Sequence, residues 1–210
     1  ENHRRPETPG EIATLFGWFL AFAFPACLGL SVFAREAILV LAKPAYAEAA
    51  SLVIYLAPAM LMSQMYIFAP GIVITKKTHW QFWLTLASAT VSVVANLALV
   101  PLAGVTGAAI ATLASALVFF FGWVRISQRL YPVPYAWPSA FLAMLCFTGL
   151  SSLGVWIDAS EMSLWPAITA KTLLLLAMLV AVVALKLLPA ADLRKLVSSL
   201  IGRLRPSSGK

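Results

Sequence analysis

NLALVPLAGVTGAAIATLAS, residues 96–115, holds no charged side chain, yet Pro101, Gly104 and Gly107 interrupt its middle. An apolar run of this length is what a helix needs to cross lipid. Proline and glycine inside such a run mark a turn. Behind the turn, Gly107, Ala108, Ala109, Ala111, Ala114 and Ser115 form a small-residue face suited to close helix packing. The stretch predicts two antiparallel neighbouring helices joined by PLAGVTG, residues 101–107, with Gly104 and Gly107 letting the backbone turn. Asn96, near the end of the first of them, is read as a bond to another helix or a water-exposed amide.

Composition identifies the solvent. The 210 residues are 61% hydrophobic and 11% charged, and the mean hydropathy is +0.90. Soluble domains are about 45–50% apolar and about 25% charged, so most of this chain is expected in a bilayer. The net charge of +7 then reads as cytoplasmic loops and headgroup contacts, and no nucleic-acid partner is expected. Cys27 and Cys146 lie in apolar runs without Cys or His at ligand spacing, so both read as small apolar side chains. Residues 1–11 are a polar cytoplasmic segment with no signal-peptide pattern, and the chain, which opens on Glu1, is expected to continue upstream.

The expected architecture is an all-α polytopic bundle of six spans, at 12–34, 48–75, 80–101, 105–124, 138–157 and 165–188. Pro58 and Pro70-Gly71 kink the second span and are candidate hinges for a conformational change. With both termini cytoplasmic, the inner segments carry Arg4, Arg5, Lys76, Lys77, Arg125, Arg129, Lys186, Arg194, Lys195, Arg203, Arg205 and Lys210, twelve of the fifteen basic residues. Arg35 and Lys43 are left outside, and Asp158 and Glu161 occupy the last outer loop. Trp80, Trp83, Trp123, Trp137, Trp156 and Trp165 fall at span ends, as interfacial aromatics do. Residues 189–210 form a basic tail in which Leu193, Leu196, Val197, Leu200, Ile201 and Leu204 recur at helical spacing, an amphipathic helix on the membrane surface or packed on the protein's own loops.

The order Asn96-x4-Pro101-x2-Gly104-x2-Gly107-Ala108-Ala109-Ile110-Ala111-Thr112 resembles the helical hairpin of polysaccharide flippases. These are the Wzx-type O-antigen and exopolysaccharide transporters of the multidrug/oligosaccharidyl-lipid/polysaccharide exporter superfamily. Ala34-Arg35-Glu36-Ala37-Ile38, Leu41 and Ala45-Tyr46-x2-Ala49 resemble the loop after the first helix of that family's second half. Lys76-Lys77 stands at its short basic loop, with Thr75 where the family carries glycine. The likeness covers residues 12–130; the fifth and sixth spans match in hydropathy alone. It implies the C-terminal lobe of a bacterial inner-membrane transporter that flips polyprenyl-pyrophosphate-linked oligosaccharide by alternating access. The implied partners are the bilayer, that lipid-linked substrate, a missing N-terminal lobe and polysaccharide-synthesis proteins.

Lys171 is the ionisable residue clearly inside a span, roughly 9 Å past Trp165. Such residues face a water-filled path or an anionic partner, so Lys171 is the first substrate-path candidate, against snorkelling to Asp158 or Glu161. Arg35 and Lys43, beside Glu36 and Glu48, are candidates at the outer mouth, with local ion pairing the plainer reading. Arg125 and Arg129 stand where an incoming pyrophosphate arrives, or serve topology alone, and Asn96 and Gln64 read as interhelical glue. No paired carboxylates, phosphate-cradling glycine loop or metal-ligand cluster is present, so no enzymatic activity, cofactor or metal is expected. The competing readings are a peptidoglycan-precursor flippase, a multidrug exporter of the same superfamily and a non-transporting scaffold of a polysaccharide-synthesis complex.

Overall fold

The computed structural model describes residues 8–42, 44–160, 163–185 and 187. Among them every regular element is helical: α1 (Thr8–Val32), α2 (Ala34–Leu41), α3 (Val53–Gln64), α4 (Gly71–Ile74), α5 (His79–Leu130), α6 (Trp137–Ala159) and α7 (Leu164–Ala184). Short 3-10 segments, Pro44–Leu52 and Met65–Phe68, lead into and out of α3. Five helical stretches are long and apolar enough to cross a membrane. The amphipathic tail and the 1–7 segment lie outside the described residues.

The 52-residue α5 is folded in two. Ser88 Oγ donates to Ser115 O at 3.0 Å, whereas an unbroken helix would hold those residues about 40 Å apart. The reversal falls on Gly104, whose φ of 56° and ψ of −132° favour glycine. Gly107 is helical and does different work from the turn residue expected of it. A Cβ there would stand 2.2 Å from Leu99 O, so it is the absence of a side chain that lets the two arms touch. At the far end of the hairpin Gly122 faces the tip of the Leu84 side chain, whose Cδ2 lies 2.5 Å from where a Cβ would stand. The connection is therefore shorter than residues 101–107, with Pro101 inside the helical run and exposed beside Gly104.

Packing orders the elements. The α5 hairpin lies against α3 and α4, α3 lies against α1, and α1 also packs on α6 and α7. That places α1 in the middle: 44% of its most apolar window is buried, against 11% for α5. The core runs along it through Phe16, Leu20, Phe24 and Leu28, which meet Met62, Phe120, Phe147 and Met178 from the surrounding helices. The outward apolar side chains, such as Phe22, Val94, Leu102 and Leu173, are left for lipid to cover.

The second apolar stretch is broken between α3 and α4. Pro70 has no N–H, and the chain around it leaves carbonyls without a helical partner. Three side chains from the end of α5 and the following connection satisfy the break. Tyr135 Oη donates to Phe68 O; Trp123 Nε1 donates to Ala69 O at 2.8 Å; and the Gly71 N–H donates to Ser127 Oγ at 2.8 Å. A Cβ on Gly71 would lie 2.4 Å from Ser127 O, so glycine alone allows the approach. Burial pushes the Tyr135 phenol up to about 12, which keeps it a donor. Gln128 ties down the 131–136 connection by bonding both the N–H and the carbonyl of Val133. Trp123, read from the sequence as an interfacial aromatic, is instead buried at 1% exposure, because the broken backbone needs its indole donor.

The basic turn after α4 also has a defined shape. Lys77 N–H donates to Ile72 O and Lys76 N–H to Val73 O, closing the helix with Lys76 at a φ of 56°. The position that calls for glycine is thus Lys76, one residue beyond Thr75.

Candidate functional site

At the α2 end of the bundle three ionisable side chains converge from three elements. Lys171, in the second turn of α7, is fully buried. Its Nζ lies 2.5 Å from Glu36 Oε1 on α2 and 2.6 Å from Asp158 Oδ1 at the end of α6. The carboxylates are about one-quarter exposed, so the cluster is closed toward the bundle and open on its carboxylate side. Arg35, the neighbour of Glu36, is exposed and its Nη1 donates to Asp158 O at 3.1 Å.

Local sequence explains how the groups meet. Phe33 interrupts the helix between α1 and α2, and in the first turn of α2 Arg35 reaches Asp158 O and Glu36 reaches Lys171. Asp158 ends α6, and Lys171 extends along the first turns of α7 toward it. An ammonium in hydrocarbon is strongly disfavoured without a partner, and the deeper it lies the stronger the demand for one. Two carboxylates answer one ammonium here, and Glu36 Oε2 is a buried oxygen without a hydrogen-bond partner. The trio holds α2, α6 and α7 together by charge.

A cavity lies elsewhere. About 470 Å³ opens between α1, α3, the second arm of α5 and α6, lined by Phe24, Tyr55, Pro58, Phe120, Phe141 and Phe147 among others. Thr148 and Ser152 reach it, but their hydroxyls donate to Met144 O and Thr148 O within α6. The cavity offers mostly apolar, aromatic and thioether surface, with the Tyr55 phenol and the Trp137 indole also on its wall.

The residues singled out in the sequence are therefore spread over separate places. Lys171 meets Asp158, as the snorkelling reading has it, yet its side chain is sealed inside the bundle, and Glu36 is its second partner. Glu36 reaches across the fold instead of pairing with Arg35. Lys43 lies outside the described residues. Arg125 and Arg129 are exposed on the last turns of α5. Asn96 is half-buried and donates to Ser92 O within its own arm at 2.8 Å, a local bond where a cross-helix one was expected. Of the residues named as hinges, Pro58 lines the cavity, and Pro70-Gly71 is the clamped break. The clamp itself, Trp123, Ser127 and Tyr135, was not read from the sequence; the free backbone groups around Pro70 are the signal that asks for such donors.

Comparison with protein-family models, curated proteins and solved structures finds no match to this chain.

Proposed function

We propose that this chain is a lobe of a transporter that flips polyprenyl-pyrophosphate-linked oligosaccharide across a bacterial inner membrane by alternating access. The observation that carries the reading is a cavity of about 470 Å³ inside a bundle whose outer surface suits lipid. A cargo that is part hydrocarbon and part glycan needs an apolar space connected to the membrane, and a scaffold has no use for one. The flippase-like order from Asn96 to Thr112 supports the same reading, because it falls on the hairpin arms that Gly104 and Gly107 bring into contact. In this proposal α5 crosses twice, the lobe has six crossings with its termini on the cytoplasmic side, and the glycan head passes between it and a second lobe. The polyprenyl tail stays on the lipid side.

The test is rescue of surface polysaccharide in a flippase-deficient strain by the full-length gene. Restored polysaccharide supports the assignment, and normal expression without rescue defeats it. The aromatic and methionine lining favours one second reading, export of amphipathic drugs, since such surfaces repack around varied ligands. A strain that gains drug resistance without regaining polysaccharide would select that reading.

A further inference from the structure

We infer that Glu36, Lys171 and Asp158 form an ionic latch that holds the α2 end of the lobe shut, and whose release opens the α6 face beneath it. The inference rests on the reading of this lobe as a transporter, for which it names the point of control.

Three observations lead to it. First, α2 packs chiefly on the 3-10 segment that follows it and touches α1 only sparsely, while α6 and α7 are joined to it by side-chain bonds: Glu36 to Lys171 at 2.5 Å and Arg35 to Asp158 O at 3.1 Å. A tie made by two side chains is released by small movements, whereas interdigitated helix faces separate only with repacking. Second, the closed state is incompletely satisfied. Glu36 Oε2 is buried without a protein partner, and an unpaired buried acceptor costs free energy. Third, Ser151 lies two turns before Asp158 on the same face of α6, about 10 Å deeper. It is 1% exposed, and its hydroxyl has no partner. Gly154, between them, packs against Val32 at the end of α1. The face below the latch thus contains a buried hydroxyl with no protein partner.

The latch also accounts for the side chains chosen. Releasing Glu36 leaves Lys171 still paired with Asp158, so opening never strands a buried cation. The second carboxylate makes the lysine's partner exchangeable.

The experiment reads water access at Ser151. Ser151→Cys is placed in a Cys146→Ser background, with native Cys27, buried in α1, kept as the internal control. The full chain is reconstituted in nanodiscs, so both faces are open to N-ethylmaleimide, and labelling at each cysteine is followed by peptide mass spectrometry. Glu36→Gln removes the ionic tie from α2, leaves the Arg35 bond to Asp158 O in place and keeps Lys171 and Asp158 paired. A second variant, Glu36→Gln with Asp158→Asn and Lys171→Met, removes every charge of the trio together. The expected result is labelling at position 151 at least tenfold faster in either variant, with Cys27 unchanged. The inference falls if neither variant speeds labelling at 151, or if Cys27 accelerates equally, which would make the trio general structural glue. No cargo enters this measurement, so its failure leaves the transport assignment to be judged by rescue of polysaccharide.

Discussion

The two ends of the bundle are fastened by different chemistry. At the α4 end, a broken backbone is held by neutral donors and acceptors: Tyr135, Trp123 and Ser127 engage Phe68, Ala69 and Gly71. At the α2 end, roughly 24 Å further along α1, the fastening is Glu36, Lys171 and Asp158. The neutral clamp leaves no charge behind when one bond is lost, and the aromatic group of Phe16, Phe68, Tyr135 and Trp137 packs around it. The ionic end depends on its charges remaining matched. One end is built to stay and the other to change partners.

The largest expected effect breaks the ionic end. Lys171→Met alone leaves Glu36 and Asp158 facing each other with no cation between them, and should destabilise the protein by about 3–5 kcal/mol. Neutralising all three positions should recover most of that loss. The midpoint of unfolding in SDS measures both, and equal midpoints for the single and triple variants would remove the distinction between the ends.

A smaller loss is expected at the neutral end. Gly71→Ala brings a Cβ within 2.4 Å of Ser127 O, which forces α4 and α5 apart and weakens the Gly71 N–H bond. The expected destabilisation is about 2–3 kcal/mol on the same scale. A midpoint like that of the unaltered protein would mean that the clamp yields easily, and the contrast between the ends would fail.

The smallest effect is a gain. Lys76 holds a left-handed φ, so Lys76→Gly should stabilise the turn after α4 by about 1 kcal/mol. Because Lys76 is exposed, nothing else is lost, and a lower midpoint would show that the lysine has a role in the turn that backbone geometry does not explain.

Much of this architecture was legible in residue order. Pro101, Gly104 and Gly107 mark the hairpin, although only the fold separates Gly104, which turns the chain, from Gly107, which admits Leu99. Pro70-Gly71 marked the break, and Lys171 stood out as a charge that needed company. Less could be read about who provides it. Asp158 is near in sequence and is a visible partner; Glu36 is 135 residues away, beside an arginine that offers a simpler pairing. The apolar cavity had no sequence signal either, since its lining comes from four helices and resembles any lipid-facing surface.

Sequence by itself determined the solvent, the helical class, the places where the chain must bend and a cation, Lys171, that must be neutralised inside a span. Each follows from local chemistry: side-chain hydropathy, the missing Cβ of glycine, the missing N–H of proline and the cost of a charge in hydrocarbon. Tertiary structure alone decided that α1 is central, that Trp123 faces a carbonyl, and that Glu36 meets Lys171. Helices such as α1, α6 and α7 are apolar on nearly every side, so no stripe in the sequence says which face turns inward. That choice is made by the fit of small residues and the pairing of scarce polar groups once all the helices are together.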